Sequence, residues 1–280
     1  MIRDTFKCCI AFGACFLVFG IAVAGNSITV PSGQIQTIAH AFIRAKPGDT
    51  VWVNNGIYRE RVFVESGITL MARHPLKAVI DGKGKGTVVT LGRNASISGF
   101  VIKNGTIGIF SKHPGNTIKN CRIENNFQTG IICVRHLPMI EDNVIAFNRG
   151  SGIQGWDVRS AGPTVNHNTI AFNENNGIAM GGKSNILIQH NIISFNERLG
   201  TKIRPEAEKV KIANNNIYGN LWSPKPQPEG NFSYNPQFSA PRSRMDFKVS
   251  GKVVCPECPK DEIPGVRMDS QSTSTNSDLF

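Results

Sequence analysis

The chain has 280 residues, with 31 Lys and Arg against 20 Asp and Glu, a net charge of +11 and 40% hydrophobic residues. That is enough for one large domain with its own core, and too apolar for a disordered chain. The basic balance points to an anionic partner (acidic polysaccharide, lipopolysaccharide or a membrane surface) rather than to nucleic acid, given the export signal that follows. Positive charge also keeps a protein soluble, so charge alone names no ligand.

Residues 1–24 read as a secretory signal. Arg3 and Lys7 form a basic start, Cys8 to Val23 is almost wholly apolar or small, and Ala22-Val-Ala24 has the small-x-small form of a cleavage site. The apolar run is shorter than the roughly 18–20 residues a spanning helix needs, so no integral membrane segment is expected after cleavage. Export permits disulfides. Cys255-Pro-Glu-Cys258 has CxxC spacing, but one pair is half a zinc site, and a local disulfide is the plainer reading.

Gln34 to Lys46 carries Ile35, Ile38, Ala39, Phe42 and Ile43 at helical spacing, and Pro47-Gly-Asp49 ends it. This helix is expected to cap a core whose first strand begins at Val51-Trp-Val53. Short apolar strands follow at Arg61–Val64, Ile68–Met71, Ala78–Ile80, Val88–Leu91 and Ile97–Ile102.

Then a repeat sets in. Asn143-Val-Ile-Ala-Phe-Asn148, Asn168-Thr-Ile-Ala-Phe-Asn173, Asn191-Ile-Ile-Ser-Phe-Asn196 and Asn215-Asn-Ile-Tyr-Gly-Asn220 superpose without gaps, and Cys121-Arg-Ile-Glu-Asn-Asn126 is an earlier copy. Gly108-Ile109, Gly130-Ile131, Gly152-Ile153 and Gly177-Ile178 precede them. A period in the low twenties without helical periodicity or a Leu-x-x-Leu-x-Leu frame leaves stacked coils of short strands. The fold expected is all-β: a right-handed parallel β-helix with an N-terminal capping helix. Ile123, Ile145, Ile170, Ile193 and Ile217 should form one internal column, and Phe147, Phe172 and Phe195 a second, so Phe172→Ala should cost about 3–5 kcal/mol. The Asn at the phrase ends should sit in left-handed turns and bond the same amide one coil along. Cys121 and Cys133 should be buried thiols. Pro224 to Gly230 ends the repeats, and Met268 to Phe280 is polar and expected to be disordered. The division is thus signal 1–24, β-helix 25–250 and tail 251–280.

The run from Ile38 to Glu60, the Gly-Ile pairs and the Asn-x-Ile-x-x-Asn repeats resemble the pectin-lyase-like β-helix superfamily, and more closely the exported bacterial proteins with right-handed parallel β-helix repeats. Asn235-Pro-Gln-Phe238 with Asp246-Phe247 resembles their closing segment. The resemblance covers about residues 28–250 and implies the fold. For activity it implies a range from lyases and epimerases to members without known chemistry.

Alternation places Phe110, Ile132, Gln154, Ala179 and Lys202 in one outward column, with Lys112, Val134, Trp156, Gly181 and Arg204 two residues on. His113, Arg135, His136, Asp157, Arg159 and Lys183 lie where those strands run into turns. The groove expected would bind an acidic polysaccharide: Trp156 stacks on a sugar, Arg135, Arg159, Lys183 and Arg204 hold uronate carboxylates, and His113 joins them in binding substrate. If it is catalytic, His136, Arg135, Arg159 and Asp157 carry the reaction, with His136 or His113 as base for β-elimination or C5 epimerisation of a uronate. The alternatives are a binding protein without catalysis and a periplasmic accessory or interaction protein. Paired carboxylates for an inverting glycosidase are absent from the repeats, and the acids do not converge as a calcium-dependent lyase requires. No cofactor or metal is called for: His167 and His190 should stack on an outward face in adjacent coils, but two imidazoles alone make a weak copper or zinc site, and a surface pair is the plainer reading. The place of work is secreted or periplasmic.

Overall fold

A computed structural model describes residues 25–249 apart from 160, 161, 163, 184, 208, 223–228 and 241–245. The signal (1–24) and the tail with Cys255 and Cys258 lie outside the described residues. The rest is a right-handed parallel β-helix of about eight coils. Each coil visits three sheets in turn. The first sheet has nine strands, the second eight and the third seven, all paired in parallel with their equivalents one coil away. In the fifth coil the three strands are Met139–Glu141, Val144–Ala146 and Ile153–Val158.

The strands are short because a single left-handed residue turns each corner. Between the first and second sheets that residue is Asn120, Asp142, His167, His190 or Asn214, at φ of 53 to 56°. Asn, Asp and His are the side chains that tolerate this backbone best, which explains the two histidines without any ligand. Between the second and third sheets the same conformation falls on Asn104, Asn125, Phe147, Phe172, Phe195 and Gly219. The expected assignment is therefore shifted by one. Phe takes the left-handed corner and points outward, half-buried, while the following Asn turns inward and is buried.

Inside, the expected Ile column is fully buried at Ile123, Ile145, Ile170 and Ile193. It is flanked by two amide ladders. Asn148 Nδ2 donates to Asn173 Oδ1 at 2.9 Å and to the carbonyls of Ile123 and Ala146, and the Asn148 N–H reaches the same Oδ1 at 3.2 Å. Asn126, Asn173 and Asn196 likewise donate to the Asn one coil on, Asn220 ends this ladder by donating to the Ile193 carbonyl, and Asn143, Asn168, Asn191, Asn215 and Asn231 build the second ladder. Each of these side-chain amide nitrogens donates at least one hydrogen bond, so the polar core costs little to bury. The Gly of each Gly-Ile pair exists for space. A Cβ on Gly152 would lie 2.6 Å from Ile170 Cγ2, 2.8 Å from the Gly177 carbonyl oxygen and 3.0 Å from Asn173 Nδ2.

Phe147, Phe172 and Phe195 stack at 5.4 and 5.2 Å, as the repeat predicts, but on the outside. Their cover is an antiparallel pair, Phe238–Ala240 with Asp246–Val249, whose Phe238 and Phe247 rings lie 5.9–6.3 Å from the stack. At the other end the first strand is Ser27–Val30, earlier than expected, paired with Thr50–Val53. The helix is only Ile38–Phe42, because Ser32 and Ile35 close a backbone-bonded turn before it. Glu60 accepts from the N–H groups of Ile38 and Ala39, and Ile38 and Ala41 are buried.

Candidate functional site

Strands of the third sheet end at Ser111, Val134, Val158, Gly182 and Ile203, so His113, Arg135, His136, Arg159, Lys183 and Arg204 fall in the turns that follow, stacked in coil order. The outward column runs in register through Phe63, Thr90, Phe110, Ile132, Gln154, Ala179 and Lys202. Its neighbour column does not. Val134 pairs with Trp156, but from Gly155–Met180 to Val158–Gly182 one strand advances three residues and the other two. Trp156 and Asp157 form a β-bulge opposite Gly181, which aims both side chains outward. Trp156 is 46% exposed. This bulge was not legible from alternation, because an inserted residue leaves no mark in a two-residue period.

The bulge is tied to the coil before it. The Arg135 N–H donates to the Trp156 carbonyl at 3.0 Å, and the Arg159 N–H donates to the Arg135 carbonyl at 2.8 Å. Arg135, Trp156 and Arg159 are therefore held side by side. Arg159 forks onto Asp157, Nε to Oδ1 and Nη2 to Oδ2, each at 2.9 Å. That hydrogen bonding and the charges of Arg159 and Arg135 hold the Asp157 carboxyl below the usual range. Asp157 stays ionised and occupies the Arg159 fork, while the exposed Arg135 guanidinium has no ion pair or side-chain hydrogen bond among the described residues.

His113 and His136 lie in successive turns. Burial lowers the His113 pKa, and the charges of Lys112, Arg93 and His136 lower it further. A neutral His113 at neutral pH is a competent base. The His136 Nδ1 is buried with no hydrogen-bond partner among the described residues. Arg204 lies across Gly181, where a Cβ would come 2.8 Å from its Cδ, and its Nη1 is 4.0 Å from Glu206. Lys183 is exposed one coil before Arg204. The site thus has two parts: Arg135, His136, Trp156, Asp157 and Arg159 with His113 beside them, and Lys183 with Arg204 further along.

On the opposite corner, His167 and His190 stack at 5.0 Å and are nearly buried rather than at the surface. His190 Nδ1 is 3.2 Å from Asn166 Oδ1, and its Nε2 is 3.4 Å from Asn214 Nδ2.

The family model described as periplasmic copper-binding protein (NosD) matches residues 45–239. The chain belongs to this family. No curated protein matches it. Among solved structures, the fold is similar to that of a pectate lyase, Pel9A, at 12% identity and a TM-score of 0.54, covering 92% of this chain and 94% of that one. A mutant of the periplasmic alginate epimerase AlgG matches at 14% identity and a TM-score of 0.50, over 76% of this chain and 55% of the epimerase. The chain thus spans about half the length of that enzyme. At such identities the likeness is of fold alone, the pectin-lyase-like β-helix that the sequence resembles. No helix among the described residues is long and apolar enough to cross a membrane.

Proposed function

We propose that this NosD-family protein is exported on its 1–24 segment, works in the periplasm, and binds an acidic polysaccharide across the strand ends of the third sheet. The observation that carries the reading is the bulge. It turns Trp156 outward one coil from Arg135 and fixes both through backbone bonds. An aromatic platform beside an unengaged guanidinium suits a uronate ring, the indole taking the sugar face and the fork its carboxylate. Lys183, Arg204 and Lys202 extend the positive track. The fold neighbours named for pectate and alginate are consistent with such a partner.

Lyase or C5-epimerase activity is the second reading, favoured by the depressed pKa of His113 beside His136. There Arg135 would neutralise the uronate carboxylate while a neutral imidazole takes the C5 proton. In a lyase the C4–O4 bond then breaks to leave the C4–C5 double bond, and the departing oxygen takes up a proton. In an epimerase water returns a proton to the opposite face of C5. Affinity electrophoresis in pectate, alginate and hyaluronate gels tests binding. Arg135→Ala and Trp156→Ala should each reduce retardation, and Lys211→Ala, on the first sheet, should not. If neither groove variant differs from Lys211→Ala in any gel, the reading is wrong. Absorbance of unsaturated products separates a lyase from a binder.

Copper enters through the family's description, and the described residues do not suit it. No three His, Cys, Asp or Glu side chains converge among them. The one stacked pair of imidazoles has both His190 nitrogens beside Asn side chains, and its residues are accounted for by their left-handed corners.

A further inference from the structure

A basic concavity lies at the opposite edge of the third sheet, at the N-terminal end of the solenoid. Here the second sheet hands over to the third in the first two coils. The cleft, about 250 Å³, is lined by Arg59, Glu60, Arg61, Asp81, Lys83 and Lys85. Four cations face two carboxylates, and both carboxylates are already engaged. Glu60 accepts from Ile38 and Ala39, while Asp81 accepts from the Lys83 N–H at 2.9 Å and from Asn104 Nδ2 at 2.9 Å. None of the four cationic side chains forms an ion pair or hydrogen bond with a described residue.

The backbone is shaped to keep the cleft open. Lys83, Gly84 and Gly86 all have positive φ, at 56, 77 and 59°. A Cβ on Gly86 would sit 2.7 Å from Arg61 Nη1, so the guanidinium lies directly against this left-handed glycine of the loop. Just beyond, Phe127 is 46% exposed, with Arg149 stacked on its ring at 5.1 Å.

We propose that this cleft binds a phosphate-type dianion, a phosphomonoester or pyrophosphate group. The lining carries a formal charge of +2, which a dianion balances and a single carboxylate does not. Two guanidinium forks and two ammonium groups suit the several oxygens of a phosphate. The site shares no residue with the glycan site. It lies at the other ends of the third-sheet strands and roughly three to four coils earlier, some 15–20 Å along the axis at about 4.8 Å per coil.

The test is calorimetric titration of the full chain with inorganic pyrophosphate at low salt. The wild type should bind, and added salt should weaken it. Lys83→Ala with Lys85→Ala, and separately Arg61→Ala, should each lower the affinity about tenfold or more. Arg135→Ala and Lys211→Ala should leave it unchanged. These are exposed side chains, and unchanged thermal unfolding certifies the variants as folded. No binding by the wild type, or equal weakening by Lys211→Ala, overturns the proposal. Co-sedimentation with phosphatidic acid vesicles, against phosphatidylcholine vesicles, distinguishes the source. Pelleting that pyrophosphate displaces assigns a lipid headgroup, and pyrophosphate binding without pelleting assigns a soluble phosphate.

Discussion

Cys121 stands where every later coil has Asn, and its thiol ends the ladder by donating to the Lys119 carbonyl at 3.2 Å. Burial pushes its pKa up to about 12 and raises that of Cys133 as well. Both thiols are free and buried. Neither should react with iodoacetamide in the native protein at pH 8, and both should react in urea. Mass spectrometry showing a native adduct on either would contradict the packing. Asn173 and Phe172 are neighbours with opposite fates. Asn173→Ala strips partners from the carbonyls of Ile145 and Ala171 and from the amides of Asn148 and Asn196, and should cost about 3 kcal/mol. Phe172→Ala removes only a half-buried ring and should cost about 1–2 kcal/mol. Urea unfolding that ranks Phe172→Ala as the more damaging would return the Phe column to the interior. Both residues were conspicuous in the repeat. Which of the two faces inward was not, because the left-handed corner falls on Phe172 itself and breaks the alternation there.

At the scale of the element, the second sheet carries an ion pair on its outer face, Arg122 with Glu124 at 2.9 Å. Burial raises the Glu124 pKa despite Arg122 and Lys103. A carboxyl whose folded pKa lies above its unfolded value near 4.5 binds its proton more tightly when folded. Its contribution to stability is present in acid and is lost as pH rises through the folded pKa. Glu124→Gln should therefore flatten the stability profile above pH 4.5, read by urea unfolding across pH 4 to 8. A steeper decline in the variant would contradict it. The third sheet's turns behave differently, because their charges are exposed. His113, depressed by burial and by Lys112, Arg93 and His136, is uncharged at neutral pH. Glycan binding should thus rest on Arg and Lys at pH 7 and strengthen only in acid, once His113 is protonated. Gel retardation that falls on mild acidification would remove His113 from the site. The strands and the order of these turns could be read from the repeat. The bulge that groups Trp156 with Arg135 could not, since strand pairing is a property of two coils at once.

For the whole molecule, the edges matter most. A parallel solenoid ends in strands with unpaired backbone, and this chain covers the N-terminal one with Ser27–Val30 and the helix Ile38–Phe42. Deleting residues 25–46 uncovers the Thr50–Val53 edge and should make the protein self-associate in size-exclusion chromatography. A monomeric deletion variant would show that the edge is protected otherwise. The sequence by itself determined the coil, its period, the Ile column and the stacking of the phrase-end Asn from coil to coil, because each repeat must satisfy the same stacking and so writes the same residues. That those Asn turn inward was decided by the corner at the preceding Phe. Only the tertiary structure decided what lies outside. The cover over the Phe stack, the bulge at Trp156 and the cleft between Arg61 and Lys85 each depend on residues that meet once, in one place, and a contact made once leaves no period to read.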